Sequence, residues 1–294
     1  MLRAAVLHSS PRPPWSTNRL LHALARAGFE TTYILWDMLG VKTGSDCRLL
    51  YRGRCASFDA LLVRGMGRGL TPEKLVYRYG VLEAAEKDGT LVVNPPAAVR
   101  TARDKMASMM KLMECGVRVP DTYVYESPAA ALRTVRQLGK AVIKPLMGSL
   151  GLGSFLVDSE DTAYYIANLL AELNQPIYVQ RYIEKRGARD IRVFIVDGEP
   201  IAAIYRRSST WKTNIAQGAT PTPAPLQGPH IDLAIRAAEC LGLIYAGVDI
   251  AEDPQGNHYV LEVNASPLWR GLYRATGIDP APAIAEAVKR HLKK

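Results

Sequence analysis

The sequence predicts a mixed α/β and α+β protein with a small N-terminal α/β unit and two α+β units behind it. Strands and helices alternate through residues 1–95, as in a parallel sheet with crossovers. Residues 176–294 are instead rich in hairpins, and between the two lies a stretch with a lysine-ended strand and a glycine-rich loop.

In the first unit, apolar runs predict strands at Ala4 to His8, Thr31 to Trp36, Ala60 to Arg64 and Leu91 to Val93. Helices are expected at Asn18 to Ala27 and Pro72 to Lys87. The second unit, 96–175, opens with a helix at Arg103-Asp-Lys105. Met106, Met109, Met110 and Met113 follow at i, i+3, i+4 and i+7, an apolar face expected in the core, and Gly116 ends the helix. A strand at Thr122 to Tyr125 precedes a helix with Ser127 as N-cap, Pro128 at its first position and Gly139 beyond its end. Ala141-Val-Ile-Lys144 is a short strand, and a helix at Asp161 to Leu173 closes the unit. The third unit, 176–294, reads as a strand from Ile177 running to Glu184, then Arg189 to Val196 and Pro200 to Arg207 joined by an Asp197-Gly198 hairpin turn. Ser208 to Pro229 has no periodicity and is expected to be a long loop of the kind that covers a substrate. Helices near Ile231 to Leu241 and from Pro282 complete the chain.

The most informative stretch is the hairpin formed by Gly247-Val-Asp249-Ile-Ala and Tyr259-Val-Leu-Glu262-Val-Asn264 around the turn cluster Asp253-Pro-Gln-Gly-Asn257. Folded across that turn, Asp249 falls opposite Glu262. Alternation puts Glu262 and Asn264 on one face and Leu261 and Val263 on the other. Two carboxylates and an amide oxygen are hard ligands suited to Mg²⁺ or Mn²⁺, which keep waters and take further oxygens from substrate phosphates. A solvated hairpin face gives the same Asp/Glu pair; Asn264, followed at once by Ala-Ser-Pro, favours the metal.

Neither a Walker loop nor a dinucleotide fingerprint is present. Gly148, Ser149, Gly151, Gly153 and Ser154 instead form a loop after Lys144 whose amides can approach an anion, although a bare glycine-rich hairpin reads the same way. Lys105 sits in a first helical turn, where a cation opposes the dipole, which points to an anionic partner such as phosphate.

The ordered set Lys105, Ile-Lys144-Pro, Gly148 to Gly153, Gln180-Arg-Tyr-Ile, Asp190-Ile-Arg192, Asp249 and Glu262-Val-Asn264 resembles the ATP-grasp superfamily. Within it, the chain is similar to the RimK-like amino-acid ligases, over about Asn94 to Pro267 and including Tyr205-Arg206-Arg207 and Trp211-Lys-Thr213-Asn214. The resemblance implies an ATP-grasp fold, with ATP and two Mg²⁺ (or Mn²⁺) ions clamped between the two α+β units. Lys105 and Lys144 would contact phosphates under the loop of Gly148, Ser149, Gly151 and Gly153. Main-chain groups near Gln180 and Tyr182 would hold the adenine, with Asp190 at the ribose and Asn214 among the nucleotide contacts. Arg192 would reach the phosphoryl group or the acid, while Asp249, Glu262 and Asn264 carry the metal.

The implied reaction activates a carboxylate as an acyl phosphate and joins it to an amine. The stretch after Asn264, with Trp269 and Arg270, looks like the glutamate-adding branch, and its departure from smaller or acidic residues bears on the acceptor. Arg206, Arg207, Arg270 and Arg274 cluster near the metal strand, and at least one is expected to clamp a carboxylate of an acidic amino acid, L-glutamate. The acceptor would be a carboxylate-bearing peptide or cofactor tail. A ligase acting on an amino-group carrier protein or making a dipeptide stays open, as does a non-catalytic ATP-binding regulator, which the intact metal residues disfavour.

The 294 residues carry a net charge of +9 but no long basic run interleaved with aromatics, so an acidic small substrate or peptide fits better than nucleic acid. No apolar run reaches membrane length, and the first strand is too short for a signal sequence. Cys47, Cys55, Cys115 and Cys240 lack C-x-x-C spacing, and the five histidines are scattered. Free thiols in a reducing cytoplasm are therefore expected, with a Cys47–Cys55 bridge the disfavoured alternative. Oligomeric state is left open, a homo-oligomer included.

Overall fold

A computed structural model describes residues 1–44, 47–67, 70–146, 148 and 152–293. Its first sheet is parallel, with strands in the order Phe29–Leu35, Leu2–His8, Ala60–Val63, Leu91–Val93. Ala4 to Leu7 and Ala60 to Val63 are fully buried, because helices and neighbouring elements cover both faces. The flanking helices are Trp15–Arg26 and Pro72–Lys87. The first begins three residues earlier than Asn18 suggests, since Pro14, with φ −59°, already sets the chain for a helix. The short strands Leu39–Val41, Leu49–Tyr51 and Arg54–Cys55 form a separate small sheet; runs of two or three residues leave no periodicity to read.

The second sheet is antiparallel, in the order Phe155–Val157, Ala141–Lys144, Ile177–Arg181, Thr122–Tyr125, with helices Pro128–Leu138 and Glu160–Glu172 packed against it. Ser127 caps the first helix by accepting from the Ala130 amide at 3.4 Å, and Gly139 ends it at φ 68°. Ile177–Arg181, which by sequence opens the third unit, hydrogen-bonds inside this sheet.

The third sheet runs Thr220–Pro223, Glu199–Arg207, Arg189–Val196, Tyr245–Glu252, His258–Asn264. Asp197 and Gly198 both take positive φ in its central turn, as a tight hairpin requires. One face packs on helices Pro96–Arg103, Lys105–Glu114 and Pro229–Cys240. The other face is divided. Phe194, Val196, Ala202, Ile204 and Tyr245 meet the N-terminal unit and helices Arg270–Thr276 and Ala281–His291, where burial selects apolar side chains. Further along the same strands and on the same face stand Asp190, Arg192, Arg206 and Asp249.

Three expectations are corrected. Only Met109 of the methionine stripe is buried, beside Ser108 and Leu112, while Met106, Met110 and Met113 are 38%, 53% and 65% exposed. The helix turns its Met109/Leu112 stripe to the sheet, rotated by roughly one residue step of 100° from the methionine face. The cysteines are paired, Cys47 with Cys55 and Cys115 with Cys240, at Cα separations of 6.0 and 6.2 Å. The second pair joins two helix ends 125 residues apart, so no local spacing could reveal it, and the thiol argument for a reducing compartment falls with it. Finally, the segment Ser208 to Pro229 is partly ordered: Thr220–Pro223 pairs with Ile204 to Arg207 as an edge strand, where proline is tolerated. Among the described residues no helix is long and apolar enough to cross a membrane.

Candidate active site

The hairpin register sets Asp249 directly across from Glu262, and Gly247 from Asn264. Pairing then jumps to Ile250 with Val260, so Leu261 is the extra residue of a β-bulge. Strict alternation would put Leu261 with Val263 in the core. The bulge instead turns Leu261 into the pocket beside Glu262, and Val263 alone is buried. Glycine is needed at 247, because a Cβ there would lie 2.7 Å from the Pro267 ring. The Asn264 amide satisfies both its ends when its nitrogen donates to Glu262 Oε1 (3.2 Å) and its oxygen accepts from Arg192 Nη2 (3.3 Å).

Behind this edge runs a chain of alternating buried charges. Arg192 donates to both oxygens of Asp249 at 2.6 and 2.7 Å, and Arg206 reaches Asp249 Oδ2 at 3.0 Å. Arg206 also holds both oxygens of Asp190 at 2.7 and 2.6 Å, and Thr213 donates to Asp190 as well. Burial pushes the Asp249 carboxyl up, but Arg192 and Arg206 outweigh it and hold the group below the usual carboxylate range. Burial likewise works against the Arg206 charge, yet Asp190 and Asp249 raise its pKa further. Two assignments change as a result. Arg206 is locked between two carboxylates and is a support for Asp249, not a substrate clamp. Asp190 has both oxygens engaged and supports Arg206, not a ribose.

Facing the carboxylates are three ammonium groups. Lys144 Nζ donates to Gln180 Oε1 at 2.7 Å; Lys105 Nζ reaches the carbonyls of Leu146 (3.4 Å) and Gly148 (3.2 Å); Lys185 Nζ donates to Trp211 O (2.9 Å) and Thr213 Oγ1 (2.8 Å). All their partners are neutral. Burial lowers the pKa of all three, that of Lys144 to about 8 against the upward pull of Glu262. Lys185 escaped the sequence reading, although its place just past the Gln180–Glu184 stretch was a usable signal. Gly148 lies against Pro145, where a Cβ would meet the ring at 2.9 Å, and Gly153 turns at φ 70° over the same ring. Ser149 and Gly151, expected in this loop, lie outside the described residues.

One pocket therefore gathers Lys105, Lys144, Gly148, Lys185, Asp190, Arg206, Asn214, Asp249, Leu261 and Glu262, with Trp211 and Thr213 on its wall. Arg192 and Asn264 touch its carboxylates. Gln180 serves through its side chain, on Lys144. The Tyr182 amide donates to Lys140 O at 3.2 Å, just beyond the paired strands. Arg270 is not in the pocket: it opens a short helix and is exposed, as are Arg207 and Arg274. Trp269 is a core residue, edge-on to Phe194 at 5.8 Å and under the Arg64 guanidinium at 4.5 Å, with Nε1 donating to Asp279 at 3.0 Å. It therefore does not face an acceptor. Among the described residues no three His, Cys, Asp or Glu side chains are placed to hold a metal ion together. Two carboxylates and an amide fit a hard divalent ion that completes its shell with waters and phosphate oxygens.

Residues 102–288 match the RimK-like ATP-grasp domain family. Tetrahydromethanopterin:alpha-L-glutamate ligase of Methanosarcina acetivorans is 31% identical over 313 residues, covering 95% of this chain and 96% of its own. A probable alpha-L-glutamate ligase of Trichodesmium erythraeum is 31% identical over 299 residues, covering 100% and 98%. In fold, the chain is similar to the ATP-grasp ligase PsnB complexed with minimal precursor, Mg and ADP, at a TM-score of 0.74 with 22% identity, covering 99% and 98%. It is also similar to a RimK domain ATP-grasp protein of Sphaerobacter thermophilus, at 0.74 with 24% identity, covering 97% and 98%. The chain belongs to the RimK-like ATP-grasp family and is an ATP-dependent ligase that forms amide bonds.

Proposed function

We propose that this ligase joins L-glutamate, through its α-amino group, to a carboxylate on a peptide or cofactor tail, using ATP and Mg²⁺. The observation that carries the nucleotide reading is the convergence of Lys105, Lys144 and Lys185, none of them held by a carboxylate among the described residues, opposite Asp249 and Glu262 in one pocket. Three ammonium groups paired only to neutral oxygens in a partly dry pocket call for a polyanion, and the facing carboxylates call for the divalent ion that accompanies it.

The tail carboxylate attacks the terminal phosphorus of ATP, and ADP departs with the electrons of the broken P–O bond. The glutamate amine then attacks the acyl carbon of the resulting acyl phosphate, loses a proton and expels phosphate. Asp249, Glu262 and Asn264 would hold the metal, as two ions in the fullest version, with Mn²⁺ able to substitute. The lysines neutralise charge developing on the phosphates. The nucleotide lies between the sheet that carries Lys144 and Gln180 and the sheet that carries Asp249 and Glu262.

Glutamate as the amine is supported by the names of the relatives and by Arg270 and Arg274, exposed within ten residues of Asn264. Mass spectrometry of products from ATP, Mg²⁺, glutamate and a panel of carboxylate acceptors tests the reading, and should show one or more glutamyl additions. Arg270→Ala should raise KM for glutamate about tenfold or more while leaving KM for ATP unchanged. Equal use of leucine and glutamate by the wild type defeats the substrate assignment. A glutamylated carrier protein or a free dipeptide as the product would replace the tail acceptor.

A further inference from the structure

We infer that the Arg192 guanidinium is a placeholder for the divalent cation: it holds Asp249 closed until metal–nucleotide enters, then releases it. The inference rests on the reading of Asp249, Glu262 and Asn264 as the metal residues. Arg192 Nε and Nη2 take the two oxygens of Asp249 at 2.6 and 2.7 Å, and Nη2 also lies 3.3 Å from the Asn264 oxygen. One guanidinium thus binds the ligating oxygens of two of the three metal residues. The Arg192 fork takes one lone pair of each Asp249 oxygen and Arg206 takes a second on Oδ2, so a cation is left a single site on Oδ1, beside a positive guanidinium that repels it.

The two arginines on Asp249 are not equivalent. Arg206 is 3% exposed and anchored by both oxygens of Asp190, so it has nowhere to go. Arg192 has Asp249 as its only carboxylate among the described residues and is 14% exposed. The Arg192 contact is therefore the one that can open, while Arg206 keeps Asp249 in place. This arrangement neutralises a buried carboxylate in the empty enzyme, which otherwise carries an uncompensated charge. It also makes metal binding depend on whatever draws Arg192 away, and the polyanion that accompanies the metal has the right charge to do so. Closure lowers apparent metal affinity by the fraction of time the fork is open.

Arg192→Lys separates this from a general charge effect, since lysine keeps the positive charge but cannot grip both oxygens. Mn²⁺ binding would be measured by water-proton relaxation, with and without a non-hydrolysable ATP analogue, on wild type, Arg192→Lys and Arg192→Gln. Thermal melts confirm that each variant is folded. Both variants should bind Mn²⁺ about tenfold tighter than wild type without nucleotide, with the gap shrinking when the analogue is present. Tighter binding in Arg192→Gln alone means that only net charge matters and overturns the inference, as does unchanged or weaker binding in both. Wild-type Mn²⁺ binding that Glu262→Gln abolishes supports the metal reading separately. If no protein binds Mn²⁺ even with nucleotide, that reading fails too. Should Arg192→Gln not fold, the Arg192→Lys comparison alone decides.

Discussion

Lys144 donates its ammonium proton to the Gln180 side-chain oxygen over 2.7 Å, so a buried cation in the candidate site rests on a neutral partner. Desolvation without a compensating carboxylate in contact lowers its pKa from 10.5 to about 8. Between those two values the unfolded chain binds more protons than the folded one. The lysine's burial therefore costs stability below about pH 8, and the cost is relieved as pH rises toward 10.5. A phosphate placed against Lys144 pulls the proton back on. Nucleotide binding should take up more protons at about pH 8.5 than at about pH 7, read by calorimetry in buffers of different ionisation enthalpy. Lys144→Met should remove most of that uptake.

The two cross-strand carboxylates should respond differently to neutralisation. Asp249→Asn leaves Arg192 and Arg206 facing an amide in a buried setting and should cost on the order of 3–5 kcal/mol in chemical denaturation. Glu262 is half-buried and makes no ion pair among the described residues, so Glu262→Gln should leave stability nearly unchanged. Turnover should fall about 100-fold or more in Glu262→Gln, measured at saturating ATP and Mg²⁺. Near-normal activity at moderate Mg²⁺ would remove Glu262 from the metal assignment.

Asp190 separates a supporting role from a nucleotide contact. Because Arg206 and Thr213 consume its oxygens, Asp190→Asn should lower the denaturation midpoint by the equivalent of roughly 3 kcal/mol. Thr213→Ala, which removes one hydrogen bond, should cost about 1 kcal/mol. A stable Asp190→Asn protein that has lost only ATP affinity would return Asp190 to the ribose.

The Trp211 segment is pinned to the pocket by Lys185, which donates to Trp211 O and Thr213 Oγ1. Lys185→Met should loosen it and raise acrylamide quenching of Trp211, with a Trp211→Phe control to assign the signal among four tryptophans. If the segment also closes over substrates, nucleotide should reduce that quenching in the wild type.

Elements whose geometry is local are legible in the sequence. Helix Pro128–Leu138 is written by Ser127, Pro128 and Gly139, the Asp197-Gly198 hairpin by its dipeptide, and the pairing of Asp249 with Glu262 by two strands and a turn. Each depends on residues close in the chain, so side-chain type and periodicity suffice. Tertiary structure alone decided what the charged residues hold. Arg206, Asp190, Arg192 and Asp249 all look like free ligands in one dimension, but three strands link them in a chain of ion pairs of 3.0 Å or less and they neutralise each other. The methionine stripe stays mostly exposed for a similar reason, since which stripe of an apolar helix is buried depends on the surface it meets. Cys115 and Cys240 meet only because two distant helices end side by side. A bulge of one residue moved Leu261 from the core to the pocket, because strand faces alternate with period two and a single insertion reverses them.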